Sequence, residues 1–378
     1  MKKVLGILLI AIFFVGCKGK NNAKNDDLII KESIQIKHAK GFDIQNFNES
    51  KKLIIKSPYP NSKEQFEYIL TTNKDSNKFY PKGTLISTPV QKIVVTSTTH
   101  VSMLELLGVE NSLIGFPHTK YISSTKTRKL IEMNSVKEVG VKSSLNTEII
   151  LDLNPDVVIG FSMTKTNKSL TLIEKSGIPV VLNGDWLEET PLGRAEWIKF
   201  FGVLYNKEKE ADSIFNAIEK NYNDAKLIAS KAKETPNILS GAIMSKDIWN
   251  LPAGESFVAQ FLVDANTNYL WKDSKGKGSL SLSFESILDR GKDADIWIAP
   301  GYFSSKKQLK KNNENYSAFK AFKNDKLFTF ANKVGATGGV IYFELGPTRP
   351  DLVLKDIIKI THPELLKDYT PTFFEKMN

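Results

Sequence analysis

The chain has 378 residues, a net charge of +10, 41% hydrophobic and 10% aromatic residues, and a single cysteine. This composition supports well-packed cores and excludes a disordered chain, and one cysteine excludes any intramolecular disulfide. Lys and Arg are scattered without an arginine cluster, which argues against a nucleic-acid partner despite the positive charge.

Lys2 and Lys3 precede an almost wholly apolar run over residues 4–15, and small Gly16 stands beside Cys17. That run is shorter than the about 20 residues a spanning helix needs, so residues 1–16 read as a secretory signal peptide. The Gly16 to Cys17 junction resembles the lipobox of bacterial lipoproteins, which implies lipidation of Cys17 and a protein exported and anchored by its lipid. Two or more acyl chains make a lasting anchor, at about 0.8 kcal/mol per buried methylene. No other stretch approaches the roughly 18 apolar residues of a membrane span.

Residues 17–27, with "KGKNNAKNDD" behind the cysteine, read as a polar tether. Residues 28–88 change to short alternating runs, "SIQIKHA", "KKLIIKS" and "QFEYILTT", which predict a small β-rich extension. From residue 89 to 206 near-continuous apolar runs alternate with helical segments. "KIVVTSTT" leads to "HVSMLELLG", "DVVIGF" to "SLTLIEKSG", and "IPVVLNG" to "LGRAEWIKFFGVLY". Such runs suit strands buried on both faces of a parallel sheet. Residues 207–233 contain neither Gly nor Pro. Their apolar residues Ala211, Ile214, Phe215, Ile218, Tyr222, Ala225 and Ile228 recur at helical spacing. One long helix is expected there, and the βα alternation resumes over residues 234–378. The fold class is therefore α/β: two Rossmann-like lobes joined by one long helix, with the small β-rich extension in front.

Enzyme signatures are missing: there is no HExxH, no GxSxG and no GxxxxGK[ST]. "GATGG" at 335–339 lacks the Lys of a phosphate loop and reads as a turn that lets backbone approach closely. "DANTNYLWKDSK" starts like a calcium loop at Asp264 but has Tyr269 in place of the turn glycine and Lys275 in place of the bidentate glutamate. Of four histidines only His100 and His118 are plausible neighbours, which is too few for a metal site. Asp185 and Glu189, near Trp186, are the one pair of carboxylates an enzyme could use.

Aromatic residues fall just after predicted strands: Phe116, Tyr121, Phe161, Trp186, Trp249, Trp271, Tyr302, Tyr342 and Phe343. Ligands of open α/β sheets sit beyond the carboxyl ends of the strands, so the group predicts an aromatic cleft. Within it His100, Phe116, Trp186, Trp249, Tyr302 and Tyr342 are the candidate ligand contacts. Arg194 and Arg349 are the candidate cations of a positive cleft that takes acidic oxygens in a fork.

The order "VVTSTTHVSMLELLG", "VGVKSSLNTEIILDLNPDVVIGF", long helix, "FESILDRGKDADIWIA" and "RPDLVLKDIIKITHPELL" resembles the ABC-importer substrate-binding proteins for iron chelates and vitamin B12, over residues 84 to 370. The resemblance implies a monomer that binds rather than transforms its ligand between two rigid lobes. It implies delivery to an inner-membrane ABC permease with its cytoplasmic ATPase, from an anchor facing the periplasm of a bacterium. The ligand it implies is an iron chelate, siderophore or haem; a corrinoid comes second. Corrinoid binders carry a Trp before the stretch matching "SLNTEI", where this chain has "VKSS". No cofactor of the protein's own is implied beyond the lipid on Cys17, and no metal. The glutamates that pair with permease arginines in the family fall here on Glu148 in "LNTEIILDLNPD" and Glu285 in "LSFESILDRGKDAD". A stiff bridging helix further implies that opening and closing are small.

Overall fold

The computed structural model describes residues 32–47, 50–72, 83–141, 144–245 and 247–378. The expected signal peptide, Cys17, the tether and the first residues of the extension lie outside them.

Each lobe is built on a parallel sheet. In the first, the strands run in the order Val180–Leu182, Val157–Gly160, Ile93–Val95, Leu113–Phe116 and Lys137–Glu138, all parallel. Its three inner strands are buried along their length apart from Ile114, which is why they read as unbroken apolar runs. In the second, Asn268–Tyr269, Asn237–Ser240, Ile296–Ile298 and Leu327–Thr329 are parallel, and Glu375–Lys376 adds an antiparallel edge. A separate antiparallel sheet of Ala242–Ser245, Ile248–Pro252 and Ser279–Ser283 rises from the second lobe. The chain is thus α/β with two lobes.

The long helix spans Glu208–Ala229, about 33 Å at 1.5 Å per residue. Glu208 and Glu210 in its first turn and Lys226 in its last suit the helix dipole. Its buried stripe is divided between two cores. Ala211, Phe215 and Ile218 pack into the first lobe, whereas Tyr222, Ala225 and Ala229 pack into the second. Each large side chain buried in this way contributes about 1.5–3 kcal/mol, so turning the helix would strip apolar surface from both lobes at once.

The extension forms a five-stranded sheet of Glu32–Ser33, Phe42–Asn46, Ser50–Ile55, Phe66–Thr71 and Thr84–Ser87, antiparallel except for its last pair. It is not a module of its own. Phe42, Ile44, Leu53, Ile55, Tyr68, Leu70 and Ile86 share one core with the first lobe, and Phe42 lies 4.6 Å from the buried Trp197 ring.

Two carboxylates fasten the extension to that lobe. Glu196, fully buried, accepts the backbone N–H groups of Lys37, His38 and Ala39 at 2.6 to 3.1 Å and pairs with Lys199 at 3.1 Å. Glu188 accepts the next two, from Lys40 and Gly41, together with the Trp197 indole N–H at 3.0 Å. Gly41 is required at the end of this run, because a Cβ there would lie 2.7 Å from the Trp197 ring.

Replacing Glu196 with Ala leaves three amides without their acceptor in a closed site, while Lys199 keeps Asp212 and the Gln35 carbonyl. The expected loss is about 3–5 kcal/mol in urea unfolding, with fast hydrogen exchange at amides 37–39. Wild-type stability in this variant would show that apolar packing alone holds the extension.

Candidate functional site

The strands of both parallel sheets end at one interlobe cleft. Residues 96–99, Phe116 to His118, Phe161 and Trp186 end or follow strands of the first lobe; Ser240, Gly241, Ile298, Ala299 and Tyr302 end or follow strands of the second. The largest compartment is about 840 Å³, and neighbouring compartments of about 260 and 540 Å³ share lining residues with it. These dimensions suit a small-molecule ligand.

Aromatic rings dominate the walls. Tyr342 stacks on Phe330 at 5.4 Å, Phe343 sits 5.1 Å from Phe330, and Tyr302 lies 5.6 Å from Phe343. Across the cleft Trp186 meets Phe161 edge-on at 6.5 Å. The Trp186 indole N–H is buried without a hydrogen-bond partner, a donor that a ligand acceptor would satisfy.

The Arg194 guanidinium lies 3.6 Å over the Phe257 ring of the other lobe and donates to the carbonyls of Trp186 and Glu188 at 2.5 and 3.2 Å. Asp185 accepts from the Thr99 hydroxyl at 2.9 Å, and Glu189 pairs with Lys277 and Lys40. The expected positive cleft is therefore corrected to one of both signs: Lys277 pairs with Glu189, while Arg194 bonds to carbonyls and feels the charges of Asp185 and Glu188 nearby. Asp185 and Glu189 thus have separate partners.

Of the expected ligand contacts, Phe116, Trp186, Arg194, Tyr302 and Tyr342 line the cleft. Three do not. Trp249 is fully buried in the second core, 5.1 Å from Trp297, with its indole N–H donated to the Ser240 carbonyl. It belongs to the antiparallel sheet, where alternate residues point inward, so its position beside a strand exit is coincidental. His100 is enclosed in the helix Thr98–Leu106; burial holds its pKa below the ordinary value, and Asp185 at 3.9 Å only partly opposes this. Arg349 is held in a two-pronged pair by Asp351, at 2.9 and 2.8 Å, where the helix Pro350–Thr361 begins. Glu148 and Glu285 are exposed in the first turns of the helices Thr147–Leu153 and Phe284–Gly291, one on each lobe and neither in the cleft.

Sequence reasoning missed Phe257 and Phe330, Phe257 because it opens a helix rather than following a strand. It also missed Glu344, the main polar link between the lobes. Its buried carboxylate accepts the N–H groups of Ser123 and Ser124 at 2.6 and 3.0 Å, while its own carbonyl accepts the Ser102 hydroxyl at 2.7 Å. The "GATGG" turn lies alongside. A Cβ on Gly335 would sit 2.5 Å from the Ser123 Cα, and one on Gly339 would strike the Tyr121 carbonyl. Those glycines let backbone of one lobe touch backbone of the other.

Burial, aided by the Glu105 charge, raises the pKa of Glu344 above the ordinary 4.5. The folded protein then holds this proton more tightly than the unfolded chain does. The group's contribution to stability is full below the ordinary value and is lost as pH rises through the raised one. Glu344→Gln abolishes the titration and turns an amide donor towards Ser123 or Ser124. It should cost about 1–3 kcal/mol at pH 7. The wild type's advantage in urea melts should widen as pH falls towards 4.5; an advantage constant with pH would remove Glu344 as a titrating group.

The sequence profile of the family described as periplasmic binding protein matches residues 93–334. An uncharacterized lipoprotein of Methanocaldococcus jannaschii is 28% identical over 417 residues, spanning 100% of this chain and 97% of its own. A protein described as a possible iron-binding, periplasmic solute-binding protein of Staphylococcus epidermidis has the same fold, with a TM-score of 0.57 at 19% identity, over 72% of this chain and 99% of its own. A periplasmic heme-binding protein of Pseudomonas aeruginosa gives 0.57 at 18% identity, over 76% and 98%. With two lobes, one bridging helix and a cleft at the strand ends, the chain belongs to the periplasmic binding protein family.

Proposed function

We propose that this protein captures an iron chelate, a siderophore or haem, in its interlobe cleft and hands it to an ABC permease. It does so as an exported lipoprotein held at a membrane by Cys17. The observation that carries the reading is the aromatic cleft. Such walls gain by burying and stacking on a broad, flat ligand, at about 0.5–1.5 kcal/mol per aromatic pair beyond area. Arg194 uses two of its five N–H donors on backbone carbonyls, which leaves capacity for a carboxylate or catecholate oxygen. The iron-binding and heme-binding neighbours of the same fold, and the lipoprotein relative, support the ligand class and the anchor.

Binding is the direct test. The protein is titrated with haemin, ferric desferrioxamine and cyanocobalamin while tryptophan fluorescence is followed. One of the two iron compounds should saturate a single site, and Trp186→Ala should weaken it about tenfold, or 1.4 kcal/mol, at unchanged melting temperature. Trp249→Ala should instead cost about 3–5 kcal/mol of stability. Saturation by cyanocobalamin alone would select a corrinoid, and chemical conversion of a probe would replace binding by catalysis.

Docking to the permease rests on Glu148 and Glu285. As first-turn helix residues each also stabilises its helix dipole by about 0.3–1 kcal/mol, so the readout must separate the two roles. The double charge reversal to Lys should abolish uptake in cells while leaving ligand affinity intact. Normal uptake would dismiss the assignment.

A further inference from the structure

The extension precedes residue 93, where the family match begins, and it reaches the cleft. After the strand Ser50–Ile55 the chain turns and comes back as Phe66–Thr71. The intervening loop places Ser57, Tyr59, Asn61 and Ser62 in the lining of the 840 Å³ compartment, together with Asn250 and Ser279 of the second lobe.

Three features fix this loop in place. At its root the Ser57 carbonyl rests against Gly184, just past the strand Val180–Leu182, so closely that any Cβ on Gly184 would strike it. In the middle, the Tyr59 hydroxyl donates to Glu64 at 2.8 Å, and Asn61 turns the chain at φ 59°, in the left-handed region that Asn tolerates. At the far end Glu64 pairs with Lys165, from the loop that also carries the cleft residues Phe161 and Met163. Between the strands Glu32–Ser33 and Phe42–Asn46, the two buried carboxylates hold amides 37–41. Glu188, one of the two, sits between Trp186 and Glu189, and all three line the compartment.

We infer that the extension is a third wall of the binding site, and that Tyr59 and Asn61 contact the ligand. This loop, with Asn250 and Ser279, adds hydroxyls and amides to the lining, where the wall around the helix Ile341–Leu345 presents rings. The part of the ligand seated at this end is therefore its hydrogen-bonding periphery, the amide, hydroxamate or carboxylate arms of a chelate or macrocycle, while its flat body lies against the aromatic walls. The inference rests on the cleft being the ligand site.

The experiment compares three forms of the full-length protein in detergent: wild type, Trp186→Ala, and the double variant Tyr59→Ala with Asn61→Gly. Glycine at 61 keeps the left-handed turn. Ferric desferrioxamine, haemin and cyanocobalamin are the probes, each read against a detergent blank. For the probe that binds wild type, the double variant should lose about fivefold or more in affinity with its melting temperature unchanged. Tyr59→Phe, which keeps the ring and drops the hydroxyl with its bond to Glu64, should keep the wild-type melting temperature and thereby exclude collapse of the loop as the cause. Weakening by Trp186→Ala with none from the double variant overturns the third wall and leaves the cleft standing. Binding of no probe to wild type overturns the cleft reading and the inference with it. Loss in the double variant accompanied by a lower melting temperature, and shared by Tyr59→Phe, also overturns it, since the loop would then be a structural strut.

Discussion

Two buried carboxylates holding five successive backbone amides are the constraint on which the rest of the molecule depends. Removing a carboxylate from water costs several kcal/mol, and only convergent donors offset that. Residues 37–41 supply five of them from one short run, and Lys199 and the Trp197 indole supply the others. The segment 188–197 is thereby held in one conformation. Arg194 falls within it, with its guanidinium on Phe257 of the opposite lobe. Leu192, from the same segment, packs into the core of the second lobe. Burial raises the pKa of Glu188, and the Gly41 and Lys40 amides and the Trp197 indole oppose that rise. The clamp therefore sets the extension, the cleft edge and part of the lobe contact together.

The second constraint is the shared helix. Its stripe serves two cores, so neither lobe can turn about it without exposing Phe215 or Tyr222. Close backbone contact at Gly335 and Gly339 and the Glu344 carboxylate add fixed points on the other side of the hinge. Swinging the lobes apart would break these contacts together.

Local periodicity made the architecture legible. Buried parallel strands read as apolar runs, and the helix Glu208–Ala229 announced itself by spacing and by the absence of Gly and Pro. Strand exits led to Trp186 and Tyr302, which line the cleft, whereas Tyr342 reaches it from the helix Ile341–Leu345 and not from a strand end. The same rule failed at Trp249, because Ile248–Pro252 is an antiparallel strand and the inward parity of one residue is invisible without its partners. Arg349 looked free because its partner is only two residues away, and a chain offers many such neighbours that never meet. The clamp left no trace at all: side chains at 188 and 196 pair with backbone at 37–41, and backbone donors carry no residue identity to search for. Net charge misled for a related reason, since +10 over the whole chain does not say where cations go unpaired.

The cleft's own charges show how rigid and yielding parts are divided. Lys40 of the extension, Glu189 of the first lobe and Lys277 of the second meet at the rim of the large compartment, with Lys40 at 3.5 Å from the carboxylate. All three bodies of the protein thus join at one exposed node. Exposed pairs are worth at most about 1 kcal/mol, because water screens them and long side chains lose freedom in forming them. A ligand arm entering there can part the node at little cost, whereas the Glu188 and Glu196 clamps a few residues away lack that freedom. Placing the weak ionic contact at the mouth and the strong one behind it lets the rim adapt to a ligand while the walls keep their shape.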